Sequence, residues 1–165
     1  MDDPVVVRIA EFHAGRGEGK IKTYALGSCV AIALFDPEKR VGAISHTMLP
    51  DPQNAPSSGP NLKNPAKFVG SAIPAMLQEM RKLGASPPRV VAKLVGGARM
   101  FPGIPSADAA NIGERNVERA RQALSGLGIP IVAEDTGGTH GRSVLFSLCD
   151  GSLLVTSLKA GNRVL

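Results

Sequence analysis

The chain has 165 residues and a mass of 17.1 kDa, the size of one domain rather than two. Hydrophobic residues make up 43% of it, which excludes a disordered polar chain, and 19 Gly with 13 Pro indicate many turns rather than a helical bundle. The formal charge is +5, but the basic residues are scattered and there is one Tyr and no Trp, which excludes a basic tail and the stacking platforms of a sequence-independent nucleic-acid binder.

Val5 to Ile9 is a β-branched run and reads as a first strand. His13 to Gly19 holds three glycines and reads as a loop. Ile21 to Ala25 reads as a strand ending at Leu26-Gly27-Ser28. Val30 to Phe35 and Val41 to Leu49 are apolar runs too short for helices, hence buried strands around an Asp36-Pro37-Glu38-Lys39 turn. Residues 50–65 carry five prolines and form a long surface loop directly after His46, expected to border a cleft as a lid.

The spacing of Val69, Ala72, Ile73, Met76, Leu77 and Met80 predicts a helix over 66–83, kinked or restarted at Pro74. Arg89 to Val95 follows as a strand. Val117, Ala120, Leu124 and Leu127 form the stripe of a second helix, with Asn111 and Glu114 as a capping pair. Ile129–Ala133, Ser143–Leu148 and Leu153–Leu158 complete seven or eight strands. Consecutive strands at both ends of the chain predict an α+β fold of sheet layers flanked by helices.

No apolar run approaches the roughly 20 residues of a membrane span, and the acidic start Met1-Asp2-Asp3-Pro4 is unlike a signal peptide. Cys29 and Cys149 are too few for a disulfide framework. No zinc-ligand spacing, phosphate loop or dinucleotide fingerprint is present, so no metal or cofactor is expected. The expectation is a single cytoplasmic domain over 1–165, monomeric and not membrane-embedded, with reduced thiols.

The turn at Asp36-Pro37-Glu38-Lys39 makes the two cysteines unequal. If Phe35 faces Arg40, Cys29 lies directly opposite His46, on the same face of the hairpin. An imidazole there can take a thiol proton, form a thiolate–imidazolium pair and return the proton to a leaving amine. The other reading, a small core cysteine beside a satisfied histidine, stands beside it. Cys149 has no histidine at comparable spacing and reads as packing; His13 and His140 read as solvated.

At these residues the chain resembles the chemoreceptor glutamine deamidase family, CheD. The likeness lies in four blocks: Thr23 to Val30 (TYALGSCV) with Val41 to Pro50 (VGAISHTMLP), Gly96 to Phe101 (GGARMF), Ile112 to Asn116 (IGERN), and Asp135 to Arg142 (DTGGTHGR). The resemblance implies a mixed β-sandwich with flanking helices, similar to cytotoxic-necrotizing-factor-type cysteine hydrolases. It implies deamidation of receptor glutamines through a cysteine thioester, with Cys29 as nucleophile, His46 as general base and Thr23 as third catalytic residue. Cytoplasmic helices of chemoreceptors are the implied substrate and a CheC-type phosphatase the implied partner. A rival reading is a non-catalytic module that regulates such a phosphatase. Phe68 and Gly70 depart from the family pattern, where Tyr and a polar residue are usual.

Overall fold

The computed structural model describes residues 3–52, 64–100 and 111–165. Along the chain run β1 (Val5–Val6), β2 (Phe12–Arg16), β3 (Lys20–Leu26), β4 (Val30–Asp36), β5 (Val41–Thr47), α1 (Val69–Lys82), β6 (Val91–Gly96), α2 (Ile112–Gly126), β7 (Ile131–Thr136), β8 (Arg142–Ser147), β9 (Leu153–Ser157) and β10 (Gly161–Val164). The strands form two five-stranded sheets, ordered β1-β3-β8-β9-β10 and β2-β5-β4-β6-β7. Both are mixed, because β1 runs parallel to β3 and β6 parallel to β7 among otherwise antiparallel neighbours. The fold is α+β, as expected.

Side-chain alternation makes the layers. On β4, Val30, Ile32 and Leu34 face one side, where α1 contributes Val69, Ile73, Met76 and Met80 and α2 contributes Val117, Ala120 and Leu124. Ala31, Ala33 and Phe35 face the other side and meet Ile21, Val144, Phe146 and Leu153 of the second sheet. The order is therefore helices, sheet, sheet, and the central strands β4 and β5 are buried on both faces. This explains why they read as continuous apolar runs rather than alternating ones. Each large side chain buried this way contributes about 1.5–3 kcal/mol.

The loop expected over His13–Gly19 is instead largely β2, paired along β5 with Gly15 directly opposite Gly42. The two glycines leave a flat area that the second sheet fills. A Cβ on Gly42 would stand 2.8 Å from Phe146 Cζ, and one on Gly15 would stand 2.8 Å from Leu148 Cδ1. Close approach of side chains, rather than turn geometry, accounts for glycine at both positions. β10, four exposed residues added to β9, was not expected either.

The predicted helix over 66–83 separates into a 3₁₀ turn at Pro65–Lys67 and α1, which runs unbroken through Pro74. The expected capping pair does not form. Asn111 makes no cap bond and instead accepts from Arg99, which also pairs with Glu114 at 3.5 Å. Cys149 is exposed rather than packed, with Sγ 3.2 Å from Ser147 Oγ. Most of the proline-rich segment expected to act as a lid lies outside the described residues.

Candidate active site

The hairpin of β4 and β5 is displaced by two residues from the expected register. Asp36, not Phe35, closes the ladder, facing Val41, and His46 faces Ala31. The reason lies in Asp36, whose side chain is fully buried and accepts from the backbone N–H groups of Glu38, Lys39 and Ser86 and from the Arg89 guanidinium. Burial alone would raise its pKa, but Arg89 and the backbone N–H groups outweigh that and hold the carboxyl below its ordinary value. Asp36 is thus the last strand residue, and the turn spans residues 37–40, ending on Arg40 at φ 50°.

A shift of two residues preserves the face. Cys29 is two positions before Ala31 and stands diagonally across from His46 instead of directly opposite. Diagonal neighbours remain within reach of long side chains. Cys29 is partly buried against the inter-sheet cluster, and His46 is 1% exposed. No hydrogen bond joins them in this structure.

Thr23 reaches His46 from the other sheet. Along β3, Ile21 and Thr23 are buried; an irregularity then shifts the pairing with β8, with Ala25 at φ 56°, and Leu26 is buried in turn. The bulge lets the chain leave one sheet and enter the other through Gly27-Ser28-Cys29. Thr23 Oγ1 lies 2.7 Å from His46 Nδ1 and 2.7 Å from the carbonyl oxygen of Val7. A carbonyl can only accept, so the single hydroxyl proton goes to Val7, and Oγ1 accepts from Nδ1–H. This fixes the imidazole tautomer and leaves the lone pair on Nε2. That nitrogen is buried and has no hydrogen-bond partner among the described residues.

Burial pushes the Cys29 thiol up from its ordinary value, opposed by a smaller effect of its own backbone N–H. Burial also lowers His46 to about 4. Both shifts favour a neutral thiol beside a neutral imidazole in the resting protein.

The glycine-rich blocks hold this crossing in place. Gly97 N–H donates to the Cys29 carbonyl at 2.8 Å and Ala98 N–H to the Gly27 carbonyl at 2.9 Å. Gly96 and Gly97 have φ of 115° and 66°, and a Cβ on Gly96 would collide with the Cys29 carbonyl. Arg142, 4% exposed, pairs opposite Leu26, bonds Asp135 at 3.0 Å and holds the Gly137 carbonyl at 2.8 Å. Phe68 is buried, and Gly70 lies beneath an Asp51–Arg119 ion pair of 2.7 Å.

Two participants escaped sequence reasoning. The Val7 carbonyl had no side-chain signal. Asn116, whose amide donates to the carbonyls of Ser28 and Met48 at 2.9 Å each, had one: it is a polar residue on the apolar stripe of α2. Among the described residues no group of three or more His, Cys, Asp or Glu side chains is placed to hold a metal ion.

In class, this is an α+β protein in which two mixed sheets hold a thiol, an imidazole and a hydroxyl around the place where the chain crosses between them. A family model described as CheD chemotactic sensory transduction matches residues 48–157. The Probable chemoreceptor glutamine deamidase CheD of Pyrococcus abyssi is 44% identical over 99% of this chain and 98% of that protein. Probable chemoreceptor glutamine deamidase CheD 2 of Geobacter metallireducens is 44% identical over 96% of each. The Chemoreceptor glutamine deamidase CheD of Thermotoga maritima is 40% identical over 96% of this chain and 95% of that one. The chain belongs to the CheD family.

Proposed function

We propose that this protein deamidates glutamine side chains of bacterial chemoreceptors to glutamate, with Cys29 as nucleophile, His46 as general base and acid, and Thr23 as the residue that orients His46. The observation that carries the proposal is the Val7–Thr23–His46 chain of hydrogen bonds, which leaves the Nε2 lone pair free on the face that Cys29 shares.

As the substrate carboxamide enters, Nε2 takes the Cys29 proton while Sγ bonds to the carboxamide carbon and the carbonyl π pair moves onto oxygen. Collapse of the tetrahedral species breaks the C–N bond, and His46 returns the proton to the leaving nitrogen, which departs as ammonia. A water then attacks the thioester, His46 taking its proton. Collapse releases the γ-carboxylic acid, which loses its remaining proton to solvent to become the glutamate carboxylate, and the Cys29 thiolate, which His46 reprotonates. Water is the co-substrate. Because both resting groups are neutral, proton transfer accompanies attack rather than preceding it.

The reading extends to a single cytoplasmic domain, monomeric by default, that also binds a CheC-type phosphatase; the family resemblance supports the phosphatase, and the chain length supports the single domain. Among the described residues no helix is long and apolar enough to cross a membrane. The test is ammonia release from the cytoplasmic domain of a cognate receptor. Wild type is expected to release it, and Cys29→Ala and His46→Gln are expected to release none above background. Release that is equal in wild type and Cys29→Ala overturns the proposal.

A further inference from the structure

Asn116 stands among the apolar residues of α2 and is 0% exposed. Both protons of its Nδ2 are used, one on the Ser28 carbonyl and one on the Met48 carbonyl. Its Oδ1 is buried without a partner among the described residues. An apolar side chain of the same shape would leave the Ser28 and Met48 carbonyls without this donor, so the amide fixes where both of them point. Its donors face the segment entering β4 at Cys29 and the segment leaving β5 after His46.

With Ala98 on Gly27 and Gly97 on Cys29, all three carbonyls of residues 27–29 are held. Among the described residues, the N–H groups of Ser28 and Cys29 donate to no other residue. The peptide bonds are trans, so each N–H points opposite to the carbonyl of the residue before it. With the Ser28 carbonyl drawn toward α2, the Cys29 N–H points away from the helix layer. That is the side on which Cys29 packs against the inter-sheet cluster. The same N–H also favours the Cys29 thiolate, so it lies near Sγ.

We infer that Asn116 is a positioning residue: by holding the Ser28 carbonyl, it aims the Cys29 N–H at the oxygen that becomes negative when Sγ adds to a carbonyl. The inference rests on Cys29 being the nucleophile of the proposed reaction. It goes beyond that reading by naming the donor that stabilises the oxyanion and the residue that fixes the donor. Removing one such donor typically slows reaction about 10²–10³-fold.

The test compares two reagents at the two cysteines of the folded chain, read by peptide mapping. Acylation by p-nitrophenyl acetate passes through a tetrahedral oxyanion before p-nitrophenolate leaves. Alkylation by iodoacetamide displaces iodide at a saturated carbon and forms no oxyanion. Both need the thiol to give up its proton, so their ratio isolates the oxyanion donor. In wild type, the acylation-to-alkylation ratio at Cys29 is expected to exceed that at exposed Cys149 by about 100-fold. Asn116→Leu is expected to bring the Cys29 ratio down to that of Cys149. Asn116→Ser, which shortens the donor and leaves room for water, is expected to do the same in a fold confirmed by thermal melting. Equal ratios at the two cysteines in wild type overturn the inference. So do variants in which both rates at Cys29 fall by one factor, the mark of a merely structural role. No receptor is used, so failure of the deamidation assay and failure of this inference are read separately.

Discussion

Thr23 Oγ1 and His46 Nδ1 lie 2.7 Å apart although the two residues belong to different sheets. The contact crosses the sandwich interior, where Thr23 is 0% and His46 1% exposed. In a low-dielectric interior such a bond holds its geometry better than on a surface. The Val7 carbonyl accepts from the Thr23 hydroxyl, and Val7 is itself tied to β3 of the same sheet through its N–H to the Lys22 carbonyl at 2.8 Å. The orientation of the base therefore depends on the pairing of the first described strand with β3.

Thr23→Val keeps the shape and removes the hydroxyl. The expected result is a fall in kcat of roughly 10- to 100-fold with KM unchanged, part of the 10²–10⁴ that acid–base catalysis supplies. Thr23→Ser keeps the hydroxyl and is expected to retain most activity. Steady-state kinetics on receptor substrate checks both. A Thr23→Val enzyme with full kcat would remove Thr23 from the base-orienting role.

Folding stability should decline in acid through His46. Its folded pKa of about 4 lies below the ordinary 6.5, so between those values the unfolded chain binds more protons than the native one. This contribution is fully present above pH 6.5 and is lost as pH falls toward 4, at most about 3 kcal/mol at 1.36 kcal/mol per unit. Urea unfolding of wild type and His46→Gln at a series of pH values measures it. The variant is expected to lack this share of the acid sensitivity, whereas parallel curves would show that the imidazole is not buried neutral.

The pH–rate profile carries a second signature. A neutral thiol with a neutral imidazole is the active form, so the acid limb of kcat/KM should lie near 4, not near 6.5. The rate is expected to stay flat through neutral pH because burial raises the thiol. An acid limb at the ordinary histidine value would instead indicate a solvated imidazole.

Gly42→Ala tests the contact between the sheets. Its Cβ would meet Phe146 Cζ at 2.8 Å and Leu148 Cδ2 at 2.9 Å, forcing the sheets apart. Overpacking of this kind costs about 1–3 kcal/mol. Thermal or urea unfolding should show that loss. An unchanged melting temperature would mean that Phe146 and Leu148 move aside freely.

Much of the architecture could be read from the residues. The apolar runs of β4 and β5 and the stripes of the two helices follow from burial, which leaves a periodic trace. The shared face of Cys29 and His46 was also legible, because face depends only on whether the pairing is displaced by an even number. Direct opposition was not, because the register is set by Asp36, whose carboxylate is held by Ser86 and Arg89 some fifty residues away. β2 was hidden because its glycine, Gly15, reports close packing against Leu148, which local sequence cannot distinguish from a turn. The tautomer of His46 depends on a backbone carbonyl, which has no residue type to betray it.

The most direct measurement is tandem mass spectrometry of a cognate receptor's cytoplasmic domain after incubation with the protein. The account predicts that particular glutamines become glutamate with wild type and remain glutamine with Cys29→Ala. Glutamines unchanged by wild type, or converted equally by Cys29→Ala, would contradict it.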